Sequence, residues 1–270
     1  MGHIIAFVSV KGGVGKTTLA LETASALANN YGKRVLLVDA NFSAPNIGLY
    51  LDLTHEQGLH DVLEDGRRLH TTIYESHGFD VVPASLDYPK SVDVFKLKKV
   101  LERVNERYDF IIIDSAPNYE ELKPVMAAAE KIFVVSGPDR VCLRTSMKAA
   151  GLAKENQSAI EGIIVNRIRS PAHEMNINEI ESESGIPVVA KIKEHKKMAE
   201  ALYNKKPITV HDSGNVISKE ISRFASALCG TPEKAGFFQK FLPVSFFEKV
   251  MGKDKINREL MRQKFYISQL

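Results

Sequence analysis

Short apolar runs alternate with amphipathic stretches along the first 230 residues of the chain. The runs are rich in Val and Ile, and we predict them as strands at 4–10, 34–39, 79–83, 109–114, 131–136, 160–166 and 187–192. They are nearly continuous rather than alternating, so both faces of each strand are expected to be buried. This pattern is typical of a parallel sheet covered by helices.

Helical periodicity fills the segments between the runs. We predict helices at 16–30, 92–107, 119–129, 140–154, 177–183, 196–203 and 216–228. The alternation predicts an α/β fold, a doubly wound and mostly parallel sheet with helices on both faces. Ligands on such sheets bind at the carboxyl ends of the strands. Thr231 and Pro232 indicate the end of this domain, which we place at 1–233, followed by a helical extension over 234–270.

The segment from Val10 to Thr18 follows a predicted strand and opens a predicted helix. Its glycines let backbone N–H groups approach phosphates, and the helix adds its positive N-terminal end. In such a loop Lys16 reaches the β- and γ-phosphates, and the Thr17 hydroxyl binds Mg²⁺. A glycine-rich turn with a solvated lysine is the plainer alternative. The predicted phosphate-binding residues are Lys11, Gly12, Gly13, Val14, Gly15, Lys16, Thr17 and Thr18.

Two aspartates, Asp39 and Asp114, each end an apolar run. The carboxyl ends of parallel strands share one edge of the sheet, so both side chains are expected beside the phosphate loop. Asp114 is then placed to hold the Mg²⁺ shell through water. An Asp after a strand also commonly caps the following turn, and this is the alternative role for both residues.

The phosphate loop has Val10 where the usual pattern begins with glycine, and a second lysine, Lys11, inside it. In this the chain resembles the MinD/ParA family of deviant Walker A ATPases. Further segments resemble that family in order along the chain: 34–39 (Arg-Val-Leu-Leu-Val-Asp), 46–49 (Asn-Ile-Gly-Leu), 58–63 (Gly-Leu-His-Asp-Val-Leu), 81–85 (Val-Val-Pro-Ala-Ser) and 109–117 (Asp-Phe-Ile-Ile-Ile-Asp-Ser-Ala-Pro). The segments 58–63 and 81–85 resemble the MinD branch in particular.

The resemblance implies an ATPase that uses ATP and Mg²⁺ and forms an ATP-dependent homodimer. Lys11 would reach the partner's phosphates, and Asp39 would act near the Mg²⁺ ion beside Asp114. The family usually has a second Asp two residues after Asp39; here Asn41 can hold a water but cannot act as a general base. We therefore expect slow, partner-stimulated hydrolysis. The predicted catalytic residues are Lys11, Lys16, Asp39 and Asn41.

Base recognition rests on one residue. Asn166 ends the run at 160–166, where members of the family often place an Asn against adenine. A turn residue after a strand is the alternative. The family's later Ile-Pro-x-Asp loop appears here as Ile-Lys-Glu-His at 192–195, without the proline, so we assign base contact to Asn166 and leave the others open.

The net charge of +3 is divided unevenly. Residues 234–270 hold eight basic and three acidic side chains, a net charge of +5, so the rest of the chain carries −2. The same segment holds six of the 13 Phe residues. A basic, aromatic-rich end on a nearly neutral body indicates an anionic surface as its partner.

The extension contains two near-copies, at 236–242 and 245–251. On a helix, their apolar residues form one face beside a lysine: Phe237, Phe238, Phe241, Leu242, Phe246, Phe247, Val250 and Met251. Short helices of this kind lie in a membrane interface, and the resemblance to MinD proteins, which carry a C-terminal targeting helix, points the same way. Packing on the parent domain or across a homodimer, and binding to a partner protein, are the alternatives.

These observations predict a MinD-like, ATP-dependent dimerising ATPase that controls membrane and partner-protein association in spatial positioning or cell division. We expect it to be cytoplasmic, and peripherally associated with an anionic membrane in its ATP state. We also expect an activating protein partner. The alternatives are a ParA-like ATPase that binds DNA through the lysines at 191–197, and a weakly hydrolysing or non-hydrolysing ATP-gated module, which Asn41 suggests.

Overall fold

The computed structural model describes residues 2–85, 92–156, 158–170 and 172–230. Its strands are β1 (His3–Val8), β2 (Val35–Ala40), β3 (Tyr74–Ser76), β4 (Phe79–Val82), β5 (Phe110–Ser115), β6 (Lys131–Ser136), β7 (Ile160–Ile168) and β8 (Val188–Lys193). They form one sheet in the order β3-β4-β2-β5-β1-β6-β7-β8. Neighbouring strands are parallel, apart from the antiparallel pair β3 and β4. The predicted α/β fold class is confirmed.

The α-helices are α1 (Lys16–Tyr31), α2 (Ile47–Tyr50), α3 (Leu59–Glu64), α4 (Leu97–Glu102), α5 (Tyr119–Ala128), α6 (Arg140–Glu155), α7 (Ile177–Ser184), α8 (Lys196–Tyr203), α9 (Ile208–His211) and α10 (Val216–Leu228). Short 3₁₀ segments lie at Leu69–Thr72, Val94–Lys96 and Asn105–Arg107. None of the described helices is long and apolar enough to cross a membrane. The predicted extension over 234–270, with its Phe-rich segments, lies outside the described residues.

Alternate residues of each central strand are buried on opposite faces of the sheet. Along β1, Ile4, Ala6 and Val8 pack with α3–α7, whereas Ile5 and Phe7 pack with α1 and α8–α10. Every residue of β2 and β5 is buried as well. Burial on both faces is the physical reason for the continuous apolar runs, and it gives the loops at the strand ends a rigid base.

Six of the seven predicted helices are present, and their ends agree with the predicted ends to within one residue. The seventh prediction, a helix over 92–107, is wrong in part. There the structure has a 3₁₀ segment, then α4, then a second 3₁₀ segment at Asn105–Arg107. The Asp93 side chain caps the first by accepting a hydrogen bond from the Phe95 amide. The Val104 amide donates to the Leu101 carbonyl at 3.1 Å and the Arg107 amide donates to the Val104 carbonyl at 2.9 Å, so bonds between residues three apart replace the four-apart bonds of an α-helix.

All seven predicted strands are present within two residues, but β3 was not predicted. It is three residues long and carries no apolar run. It pairs with β4 through a tight turn at His77 and Gly78, whose φ angles of 50° and 85° lie in the left-handed region that hairpin turns require. The helices α2, α3 and α9 were also missed, because four to six residues are too few to show a helical period.

A buried carboxylate, Glu22 of α1, joins this helix to α9. One oxygen accepts a hydrogen bond from the Ile208 amide at 2.8 Å, and the other accepts from the amide and hydroxyl of Thr209, both at 3.2 Å. Burial raises the pKa of Glu22 to about 7. These bonds satisfy the first N–H groups of α9, so Glu22 acts as a cap for a helix far away in the sequence.

The outermost strand, β8, has two backbone N–H groups occupied by acidic side chains. The Val188 amide donates to Glu181 of α7 at 2.7 Å. The Lys193 amide donates to Glu220 of α10 at 3.0 Å. Helices on both faces of the sheet therefore reach this edge.

Candidate nucleotide-binding site

The loop between β1 and α1 requires glycine at two positions. Gly13 and Gly15 have φ angles of 76° and 93°, which other residues rarely adopt. A Cβ atom on Gly15 would also lie 2.3 Å from Nδ2 of Asn166. Gly15 precedes α1, and in the part of the chain that the structure describes no side chain caps this helix. The first N–H groups of α1 are thus left for a ligand, as a phosphate-binding loop demands.

Lys16 is buried at the start of α1, with only 6% of the residue exposed. Burial lowers the pKa of its ammonium group, and the nearby carboxylate of Asp114 opposes this effect. Lys11, in contrast, is exposed, while Thr17 and Thr18 are half-buried. The two lysines of the loop therefore differ in setting, one fixed inside the site and the other at its surface.

The two aspartates lie side by side, as predicted. Asp39 of β2 and Asp114 of β5 are register partners at the carboxyl edge of adjacent strands, and both are fully buried. The Thr17 hydroxyl donates to Oδ2 of Asp114 at 2.6 Å. This contact joins the phosphate loop to β5, so the side chains of Thr17, Lys16 and Asp114 are brought together.

Burial raises the pKa of Asp39 to about 8 and that of Asp114 to about 6. The negative charge of Asp114 raises the pKa of Asp39 further. Two neighbouring buried carboxylates are therefore poorly neutralised by the protein itself. A divalent cation bound beside them would favour their charged forms.

Asp39 also organises the loop that follows β2. Its Oδ1 atom accepts from the Asn41 amide, and its Oδ2 atom accepts from the Asn46 and Ile47 amides, each at 3.1 Å. The structure thus shows the turn-capping role for this residue. Its predicted part near a metal ion stays a prediction, as does its catalytic role.

Asn41 closes the same loop and leaves one oxygen unpaired. Its amide nitrogen donates to the Ala44 carbonyl at 2.6 Å. Among the described residues, three buried side-chain atoms lack a hydrogen-bond partner, and two of them are here: Oδ1 of Asn41 and Oδ1 of Asp114. A buried acceptor without a partner is costly, so these atoms mark places where a ligand, a metal ion or water belongs.

Asn166 is brought to the site by β7. Its amide nitrogen donates to the Val14 carbonyl at 2.8 Å, and the residue is 8% exposed. The Asn166 side chain therefore holds the backbone of the phosphate loop at Val14. The adenine contact that we predict for Asn166 stays a prediction.

Glu121 was missed by sequence reasoning. It lies in the first turn of α5, and its Oε2 atom accepts from the Phe42 amide at 2.7 Å and the Ser43 amide at 3.3 Å. One signal was available in the sequence. Asn118 and Glu121 have the spacing of a capping box, which places a carboxylate at the start of the helix that follows β5.

The fold and this loop define a class of protein, the P-loop nucleotide-binding proteins with a doubly wound sheet. Comparison with protein families matches residues 2–145 to the AAA domain family, more than half of the chain. The chain belongs to this family, in its MinD/ParA branch of deviant Walker A ATPases.

Known MinD proteins are similar over most of the chain. The septum site-determining protein MinD of Bacillus subtilis is 29% identical over 224 residues, which cover 78% of this chain and 83% of that protein. MinD of Pyrococcus horikoshii, solved as a complex with Mg-ADP, superposes with a TM-score of 0.79 at 28% identity, covering 84% of this chain and 95% of that one. The matching chain in the MinC:MinD cell division protein complex of Aquifex aeolicus superposes with a TM-score of 0.77 at 25% identity. The match covers 87% of this chain and 98% of that one.

Proposed function

We propose that this protein is a MinD-type ATPase, which binds ATP with Mg²⁺, dimerises in the ATP state and resets by hydrolysis. One observation carries the proposal. The buried, unpaired Oδ1 atom of Asp114 lies on a side chain that also contacts the Thr17 hydroxyl, next to the buried ammonium group of Lys16. A hydroxyl and a carboxylate are oxygen ligands that Mg²⁺ prefers, so the residues fit this ion.

In this proposal Thr17 and Asp114 hold the Mg²⁺ ion, Asp114 through water, and Asp39 lies near it. The ion supplies positive charge to the phosphates. The N–H groups at the start of α1 and the Lys16 ammonium group bind the same phosphates from the other side. Their positions are set by packing before any nucleotide arrives, since the loop joins a strand and a helix that are both largely buried.

Lys11 is the residue that we propose to act across a dimer. Its exposure at the surface of the loop supports this role, because the side chain can extend away from its own subunit. A lysine supplied in this way adds charge at the transferring phosphoryl group, as an arginine finger does. Hydrolysis then depends on dimerisation.

Asn41 is proposed to place the attacking water through its unpaired Oδ1 atom. An amide cannot take up the proton of that water as a carboxylate can, so we expect slow hydrolysis that a protein partner accelerates. The same difference from the family pattern motivates a module that binds ATP without hydrolysing it, and an assay decides between the two.

Membrane association is proposed on the composition of 234–270, with its net charge of +5 and its Phe-Phe-x-Lys segments. Basic residues near anionic lipid contribute roughly 1 kcal/mol each, and buried Phe side chains add to this. In this proposal the protein is cytoplasmic and associates with the membrane peripherally, as an ATP-bound dimer. Dimerisation doubles the number of such segments, which links membrane affinity to the nucleotide.

The full chain tests the proposal in two assays. Phosphate release is measured with Mg²⁺ and with a chelator, and co-sedimentation is measured with anionic liposomes and, separately, with DNA, in ATP, ADP and no nucleotide. We expect Mg²⁺-dependent hydrolysis and ATP-dependent binding to liposomes, lost in a chain that ends at residue 233. Binding to DNA alone would overturn the membrane role in favour of DNA segregation, and absence of hydrolysis would overturn the enzymatic one.

A further inference from the structure

Two loops of the site, residues 41–46 after β2 and 116–118 after β5, are joined by a pair of polar side chains at the start of α5. The pair is Asn118 and Glu121, which we call the clamp. Asn118 immediately precedes α5, and Glu121 is in its first turn. Asp114 lies on β5 just before this segment, and Asn41 begins the opposite loop. The clamp therefore joins the loop that begins with Asn41 to the segment that follows Asp114, and each of these two residues carries an unpaired buried oxygen.

The clamp uses both oxygens of Glu121. Its Oε2 atom accepts from the Phe42 and Ser43 amides, and its Oε1 atom accepts from Nδ2 of Asn118 at 2.7 Å. Asn118 in turn accepts from the Glu121 amide at 2.9 Å and donates to the Ser43 hydroxyl at 3.4 Å. Both side chains are thus fixed by each other and by the opposite loop.

A second Asn-x-x-Glu sequence in this chain shows what the same motif does when it serves only its helix. At the start of α7, Asn176 accepts from the Glu179 amide at 3.0 Å, and Glu179 accepts from the Asn176 amide at 2.8 Å. This is a complete capping box. At α5 the Asn half of the box is present, but the Glu121 carboxylate turns away to the loop after β2.

The difference between the two motifs shows that the Glu121 carboxylate is not used to cap its own helix. A carboxylate that accepts backbone N–H groups makes charge-assisted hydrogen bonds, which are stronger and shorter than neutral ones. Here those bonds fix the backbone of residue 42, which is directly bonded to Asn41. The position of the Asn41 side chain relative to β5 is therefore set in part by Glu121.

We propose that Glu121, oriented by Asn118, is a positioning residue for ATP hydrolysis: it holds Asn41 at a fixed place relative to Asp114. This inference rests on the proposed ATPase function. Glu121 does not itself touch the reacting atoms. Its loss should therefore lower the rate of the chemical step more than the affinity for nucleotide.

The test compares Glu121→Ala and Glu121→Gln with the matched control Glu179→Ala. Phosphate release gives kcat and KM for ATP, and thermal unfolding gives Tm. We expect Glu121→Ala to lower kcat about tenfold with KM changed less than twofold. Glu121→Gln keeps one acceptor oxygen and should give an intermediate kcat. Glu179→Ala should lower Tm while kcat stays at the wild-type value.

A double variant and amide hydrogen exchange complete the test. In an Asn41→Ala background, Glu121→Ala should add little further loss, because the residue that it positions is gone. Exchange of the amides at 41–46 should be faster in Glu121→Ala than in Glu179→Ala. An unchanged kcat in Glu121→Ala, or an equal fall of kcat in Glu179→Ala, would overturn the inference alone. A wild-type chain that never hydrolyses ATP would overturn it together with the proposed function.

Discussion

Two buried carboxylates, one beside helix α1 and one within it, differ in how their oxygens are hydrogen-bonded. Asp114, beside the start of α1, leaves one oxygen without a partner, whereas Glu22, farther along the helix, has hydrogen bonds to both oxygens. Burial raises the pKa of both groups, to about 6 and about 7. A raised pKa therefore does not distinguish a ligand site from a structural cap here. Between these two carboxylates, the difference is the unpaired oxygen of Asp114, which lies beside Thr17 and Lys16.

The largest effect is expected at the unpaired acceptor of Asp114. Asp114→Asn should lower Mg²⁺-dependent phosphate release by about a hundredfold or more, since a neutral amide is a poor partner for Mg²⁺. The same change should stabilise the nucleotide-free protein at pH 8, because it removes a buried charge. Urea unfolding without nucleotide measures the second effect. A rate within threefold of the wild type would show that the open acceptor marks no metal site.

Glu22 should affect the free energy of unfolding and its pH dependence, and not the rate of phosphate release. Its pKa lies at about 7 in the folded protein, above the ordinary value of 4.5, so the folded state binds more protons between these values. The free energy of unfolding should therefore fall as the pH rises from 5 to 8, by up to about 3 kcal/mol.

Glu22→Gln cannot ionise and should lose this part of the pH dependence. Urea unfolding of both proteins at pH 5 and pH 8 gives the comparison, and Glu155→Gln, an exposed substitution at the end of α6, serves as the control. Equal slopes for the wild type and Glu22→Gln would mean that the Glu22 carboxylate is already charged at pH 5.

The Asn41 side chain has one hydrogen-bonded atom and one unpaired atom. Its amide nitrogen donates to the Ala44 carbonyl, while its Oδ1 atom has no partner. Asn41→Ala should lower kcat about tenfold with little change in KM for ATP. Asn41→Asp supplies the carboxylate that the family usually has at this position but loses the bond to Ala44, so it should raise kcat and lose about 1 kcal/mol of stability. If all three proteins hydrolyse ATP at the same rate, the open oxygen takes no part in the reaction.

The smallest effect is expected at Asn166. Its bond to the Val14 carbonyl should make Asn166→Ala about 1 kcal/mol less stable than the wild type. If the residue also contacts adenine, as we predict, the preference for ATP over GTP should fall about threefold, measured by competition for a fluorescent nucleotide. An equal loss of affinity for both nucleotides would confine Asn166 to supporting the loop.

The parts of the site that could be predicted from the sequence are local in the chain. Gly15, Lys16 and Thr17 form one short segment between a strand and a helix, and Asp39 and Asp114 end apolar runs. Each signal lies within a few residues, and the topology of a parallel sheet brings the strand ends together. The class of fold and the centre of the site follow from these patterns.

The residues that were missed act over long separations. Glu121 bonds the amide of a residue 79 positions away, and Glu22 bonds one 186 positions away. Their immediate neighbours look like ordinary helix sequence. Such pairings depend on tertiary packing, which local periodicity does not encode.

The two acidic side chains at β8 affect how copies of this protein meet. A sheet edge with free N–H groups is a template on which another strand can add, and here Glu181 and Glu220 occupy two of those groups. Their negative charge also repels a second acidic segment. Addition of a strand from another copy at this edge of the sheet is thereby disfavoured.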